Sequence, residues 1–146
     1  MLKKINKEYN ILKTFFLILL PLISILGIPL YTYHNGIVLH EPIMLLIGWF
    51  FAGTGITIGY HRLFAHRSFQ ARPIIDWIFM LFGSMALQNS ILRWCSDHRR
   101  HHKKLDTNLD PYSIKKGFFH AHIGWMLEKT SSEISGVSDL KRKPAV

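Results

Sequence analysis

Nine histidines occur in this 146-residue chain, and five of them fall in two short boxes. The first reads His61-Arg62-Leu63-Phe64-Ala65-His66, an H-x4-H pattern; the second reads Asp97-His98-Arg99-Arg100-His101-His102, an H-x-x-H-H pattern. Clusters rich in imidazole suit iron, zinc, copper or nickel, and not magnesium or calcium. On an α-helix, offsets of three and four residues place His98, His101 and His102 on one face, where they can converge on metal. Five positions is about 500° of helical rotation, so His61 and His66 diverge on a regular helix. They need a distorted helix end, or they serve two different metals. The plainer reading, solvated surface histidines, leaves their clustering unexplained.

The elements around the boxes are apolar. The chain is 49% hydrophobic with a positive mean hydropathy, yet carries a formal net charge of +9. Lys3, Lys4, Lys7 and Lys13 precede the first apolar run, and no Lys or Arg follows until Arg62. A nucleic-acid binder spreads its basic groups over a folded polar surface. Here they flank apolar runs, so membrane orientation explains the charge and no nucleic-acid partner is expected. Residues 15–33 and 42–60 are each 19 residues long, about 28 Å as helix and close to the hydrocarbon thickness of a bilayer. The connection between them lacks Lys and Arg. By the positive-inside rule the N-terminus (1–14) is cytoplasmic, the short loop external, and the chain returns to the cytoplasm near His61. A signal peptide is the alternative for the first run; it lacks a clear small-residue cleavage site and a second apolar run follows, which favours a hairpin anchor. Pro21, Gly27 and Pro29 are tolerated in a bilayer helix. Gly55 and Gly59 either admit a closely approaching helix or are simply carried in an apolar one. Cys95 is the only cysteine, so no intramolecular disulfide forms.

Residues 61–127 form the histidine-box region. Within it, 73–94 is apolar enough to resemble a third span. If both boxes serve one site they lie on one side of the membrane, and the 31 residues between His66 and His98 fall short of the roughly 40 that two crossings need. The segment 73–94 is therefore expected as an in-plane or buried helix. Residues 128–146 are rich in Ser and Lys without a periodic apolar face, which predicts a mobile polar tail. The fold class is an all-α membrane protein: an N-terminal transmembrane hairpin (15–60), then interfacial or cytoplasmic helices carrying the boxes.

The boxes and their flanks resemble the membrane-bound acyl-CoA desaturases of the stearoyl-CoA (delta-9) type. The most specific elements are Gly59-Tyr60-His61-Arg62-Leu63-Phe64-Ala65-His66-Arg67-Ser68-Phe69, Gln88-Asn89, and Trp94-Cys95-Ser96-Asp97-His98-Arg99-Arg100-His101-His102-Lys103. Asp110-Pro111-Tyr112, Lys116-Gly117-Phe118-Phe119 and His122-Ile123-Gly124-Trp125 extend the match. The resemblance implies a cytoplasm-facing diiron centre that uses dioxygen and two electrons to introduce a cis double bond in the middle of an acyl-CoA chain. The electrons come from a ferredoxin or cytochrome b5-type donor. It also implies that His61, His66, His98, His101 and His102 are iron ligands, with no catalytic residue beyond them. Asn89 and Asp97 match positions lining the substrate site or touching the polar part of the acyl-CoA, and Trp94 one beside the acyl channel. Lys129 matches the basic patch for the CoA phosphates, where Thr130 replaces a second basic group. For Asn89 and Trp94, packing and helix satisfaction are an equal alternative. His120 and His122 lie outside the matched set, and His34 and His40 fall on the external side.

One departure stands out. The family carries a third box, again H-x-x-H-H, after a second membrane hairpin, with another ligand region shortly before it; this sequence has neither. Two irons held mainly by imidazole need more than five such ligands, so the expectation is the N-terminal half of a desaturase: a fragment, a truncated product, or one member of a split pair, inactive alone. A separate C-terminal half would then be a partner. The alternatives are a non-catalytic membrane pseudoenzyme and a histidine-box hydroxylase; the Gly-Tyr-His-Arg and Trp-x-x-Asp-His flanks favour the desaturase.

Overall fold

A computed structural model describes residues 9–128 and 133–143. The chain divides into two compact units, one joining Met1–Val38 with Tyr112–Ser132 and the other joining Leu39–Pro111 with Glu133–Val146. Among the described residues there is no strand, only an isolated antiparallel bridge between Tyr9 and Glu128.

The first unit is built on α1 (Ile11–Asn35), 25 residues or about 37 Å long. Asn10 caps it, its side-chain oxygen accepting from the Lys13 amide at 3.0 Å. The helix runs through Pro21 and Pro29, and none of its residues is buried. It is long and apolar enough to cross a membrane. In the same unit, a short π-helical turn at His120–Gly124 leads into Trp125–Leu127, and the Asn10 amide donates to the Leu127 carbonyl at 2.8 Å.

The second unit holds the core. Helix α2 (His40–Thr54) continues without a break into an 11-residue π-helix, π1 (Gly55–Ala65). The continuous stretch His40–Ala65 is also long and apolar enough to cross a membrane. Helix α3 (Pro73–Met85) starts with Pro at its first position, where the missing N–H has no helical partner to lose. It packs against π1 at small residues. A Cβ on Gly55 would collide with the backbone of Phe82 and Gly83, one on Gly83 with the Tyr60 ring, and one on Gly59 would lie 2.8 Å from Phe79. Of the two readings of Gly55 and Gly59, close approach is the one realised.

The apolar segment 73–94 is not one helix. It ends at Met85, turns with Leu87 and Asn89 at φ 54° and 73°, and restarts as α4 (Ile91–Lys103) behind the N-cap Ser90. Asn tolerates the left-handed region through its short polar side chain. At 13 residues, α3 spans about 20 Å, less than the roughly 30 Å of a hydrocarbon core.

The expectation of a mobile tail also needs correction. Within the described residues 133–143, Val137 and Leu140 are buried at 1% exposure and join Tyr60, Leu63, Phe64, Ala65, Ile91 and Cys95 in one core. The Lys143 ammonium reaches the buried Asp76 carboxylate at 2.7 Å. Few apolar positions lie in this stretch, but they are spaced to be buried from outside, which no helical period reveals.

Candidate metal centre

The first box gains its geometry from π1. Its hydrogen bonds run from residue i to i+5, and the last of them joins the His66 amide to the His61 carbonyl at 2.9 Å. Residues five apart, which an α-helix splays, therefore stand one above the other. The His61 and His66 rings meet edge-to-face at 4.5 Å, with their Nε2 atoms 3.1 Å apart. This is a distorted helix end, one of the two options that the H-x4-H spacing left open.

Helix α4 brings the second box against the first. His98 Nε2 lies 3.0 Å from His66 Nε2 and 3.1 Å from His102 Nε2. The ligand nitrogens of His61, His66, His98 and His102 all lie within 4.8 Å of one another. These contacts cannot all be hydrogen bonds. A neutral imidazole nitrogen has one in-plane position, either a proton or a lone pair. Yet Nε2 of His66 faces two partners, and so does Nε2 of His98. Four lone pairs aimed at a common point satisfy the geometry. Nitrogens ~2.1 Å from a metal and set at right angles lie ~3.0 Å apart, which matches the observed spacing. The donor set therefore fits a first-row transition metal.

The electrostatics favour the deprotonated, ligating form. Burial, followed by the neighbouring imidazoles of His61, His102, His66 and His101, pushes His98 down to about 3. His66 is lowered by its partial burial first, then by His61, His102 and Arg99. Trp94 stacks on His98, centroids 4.8 Å apart and planes 23° from parallel, while its indole N–H donates to Gln88 at 3.1 Å. Cys95 is no ligand candidate: burial pushes its thiol up to about 12, and its Sγ faces the Tyr60 carbonyl at 3.6 Å.

His101 stands apart from the other four. From His98, three residues fall about 60° short of a full turn and four overshoot by about 40°, so His101 and His102 lie on opposite sides of it. His101 Nδ1 donates to the fully buried Asp110 carboxylate at 2.9 Å, and the other Asp110 oxygen accepts from the Asp106 amide at 2.9 Å. A carboxylate on one ring nitrogen fixes the tautomer and leaves Nε2 with its lone pair, the usual support of a metal-ligating histidine. Asp110 stood out in the sequence only as part of the matching Asp110-Pro111-Tyr112 stretch; its pairing with a histidine nine residues upstream was not visible there.

The remaining predicted residues are placed as follows. Asn89 is exposed in the turn before α4. Asp97 is buried and held by Arg100 at 3.2 Å and Arg93 at 3.8 Å, arginines of its own helix. Lys129 lies outside the described residues. His120 and His122 belong to the first unit, where His120 is buried near Glu128 at 3.3 Å and His122 stacks on Phe118.

The fatty acid desaturase family profile matches residues 37–139, which include both boxes and Asp110. The chain belongs to the fatty acid desaturase family. The chain is 38% identical over 130 residues to a probable acyl-CoA desaturase of Schizosaccharomyces pombe, covering 87% of this chain and 26% of that one. It is 48% identical over 80 residues to an acyl-CoA Delta(11) desaturase of Choristoneura rosaceana, covering 55% and 24%. To a Delta(9)-fatty-acid desaturase of Caenorhabditis elegans it is 39% identical over 102 residues, covering 66% and 30%. The chain thus spans about a quarter of the length of the curated relatives it matches. With two helices of membrane-crossing length and composition, this member of the family is a membrane protein that carries a histidine group suited to metal.

Proposed function

We propose that residues 1–146 contribute the first part of an acyl-CoA desaturase centre, holding one iron through His61, His66, His98 and His102 and offering His101 to a second. The observation that carries this reading is the convergence of four imidazole nitrogens from both boxes, with neighbours 3.0–3.1 Å apart, in a chain of the desaturase family. When bound, iron there supplies the dioxygen chemistry that removes two hydrogens from the middle of an acyl chain, with two electrons from a ferredoxin or cytochrome b5-type donor. The residues of this chain do the rest of the positioning. Asp110 orients His101, Trp94 packs on the ring face of His98, and the low proton affinity of His98 keeps it available as a ligand at neutral pH. Asn89, Asp97 and Lys129 are proposed to meet the polar end of the acyl-CoA, and Trp94 its acyl chain.

The same reading places the boxes on the cytoplasmic side of a multi-pass membrane protein, with 73–94 at or beneath the interface. The stretch from Lys13 to Arg62 without a basic residue supports it. Cysteine-accessibility labelling checks this: positions near Gly36 should react from outside and those near Lys103 from inside.

For the activity, a host lacking its own desaturase is the assay. Residues 1–146 bind metal but restore no unsaturated fatty acids alone, and restore them when a matching segment bearing the third H-x-x-H-H box is supplied. Restoration by residues 1–146 alone would overturn the shared-centre account. Metal binding without activity in either arm would favour a pseudoenzyme.

A further inference from the structure

Arg99 sits in the middle of the second box, one residue after His98, yet its hydrogen bonds go to backbone carbonyls and to Asp139. Its guanidinium has five N–H donors, and each has a partner. Nε donates to the Ala65 carbonyl at 2.9 Å. One terminal nitrogen donates to the Phe64 carbonyl at 2.7 Å and to Asp139 Oδ2 at 2.9 Å. The other donates to the Gly136 carbonyl at 2.6 Å and to Asp139 Oδ1 at 2.7 Å. Phe64 and Ala65 close π1 directly before His66, and carbonyls at a helix C-terminus lack intrahelical donors. Gly136 and Asp139 belong to the ordered stretch 133–143, which the buried Val137 and Leu140 fix to the core.

We propose that Arg99 is a positioning residue that sets the separation of the two histidine boxes, with Asp139 as its counter-anchor. The guanidinium ties three chain segments at one point: the end of π1 that carries His66, the helix that carries His98 and His102, and the 133–143 stretch. A lysine cannot replace it. A single ammonium has three donors and no planar fork, so it cannot hold a bidentate carboxylate and three carbonyls together. The proposal rests on the metal-centre reading for its purpose, whereas the clamp itself is a property of the metal-free chain.

The test uses the full chain in lipid nanodiscs with two readouts. The first is hydrogen exchange at the His66 and Ser68 amides, which close the end of π1 on the His61 and Arg62 carbonyls; α1, in the other unit, is the internal control. The second is Co(II) titration followed by visible absorption. Arg99→Met keeps the side-chain bulk and removes all donors. It is expected to raise exchange at both amides about tenfold or more, weaken Co(II) about 10–100-fold and alter its spectrum, with far-UV helicity and α1 exchange unchanged. Arg99→Lys recovers only part of both. Wild-type exchange in Arg99→Met, or freed amides with an unaltered Co(II) spectrum and affinity, overturns the proposal. Freed amides in a chain whose wild type binds no Co(II) support the clamp and overturn the metal-centre reading. If Arg99→Met loses its helicity, Asp139→Asn, which leaves the carbonyl bonds in place, decides by the same readouts at smaller amplitude.

Discussion

π1 and α4 each deliver two imidazoles to one point by different backbone geometries. In α4 the pair His98 and His102 is spaced by four, which an ordinary helix aligns. In π1 the pair His61 and His66 is spaced by five, and the helix widens to an i→i+5 register to bring them together. The two elements also differ in support. π1 is buried through Tyr60, Leu63, Phe64 and Ala65 and pressed by α3 at positions where no side chain fits. α4 also buries Ile91 and Cys95, but it is tied in addition by a charged partner outside the helix, Arg99 with Asp139. Packing holds one half of the centre, and packing joined by hydrogen-bonded charge holds the other.

The largest test of this pairing is His98→Ala, because His98 is the residue of α4 in contact with both His66 and His102. Metal content of purified residues 1–146 should collapse in this variant and stay close to wild type in His101→Ala. Metal retained by His98→Ala would break the pairing of the two elements. Next in size is Asp110→Asn, which unhooks His101 and leaves the four-histidine group intact. It should lower occupancy of the second iron in the assembled centre about 10–100-fold while sparing the first, as read by iron stoichiometry.

The packing half can be sharpened by Gly83→Ala. The added methyl meets the Tyr60 ring, and overpacking of this kind costs about 1–3 kcal/mol. Gly48→Ala, in α2 with open space around it, should instead be neutral or stabilising by about 0.5–1 kcal/mol. Thermal unfolding of the metal-free protein separates the two. Equal effects would mean that α3 does not hold π1 in its register.

A last effect is expected on acid stability. His98 sits at about 3 in the fold against an ordinary 6.5, so between those values the unfolded chain binds more protons than the folded one. Stability of the metal-free protein should be full above about pH 6.5 and fall as pH drops toward 3. Asp139 acts in the same direction at lower pH, since the Arg99 guanidinium holds its carboxyl below the usual range. Denaturant titrations at several pH values should show this limb flattened in His98→Ala. A stability that rises on acidification would contradict the burial of His98.

Much of the architecture was readable before any coordinates. Apolar runs of membrane-crossing length, the stretch without Lys or Arg between Lys13 and Arg62, and the two boxes are local features of composition and order. Helices form around them because burial or lipid exposure of an apolar run is decided residue by residue. The i, i+4 pairing of His98 and His102 follows from helical geometry alone. Other features depended on distant partners. The π register of π1 was one of two options that the H-x4-H spacing left open, and it appears where α3 packs against Gly55 and Gly59. His101 parts from its neighbours to meet Asp110, Arg99 finds Asp139 forty positions along, and a stretch read as a polar tail closes the core through Val137 and Leu140. A sequence displays the period of an element but not the surface that element will meet. The convergence of His66 on His98, 32 residues apart, is therefore a product of packing, and only the tertiary structure decided it.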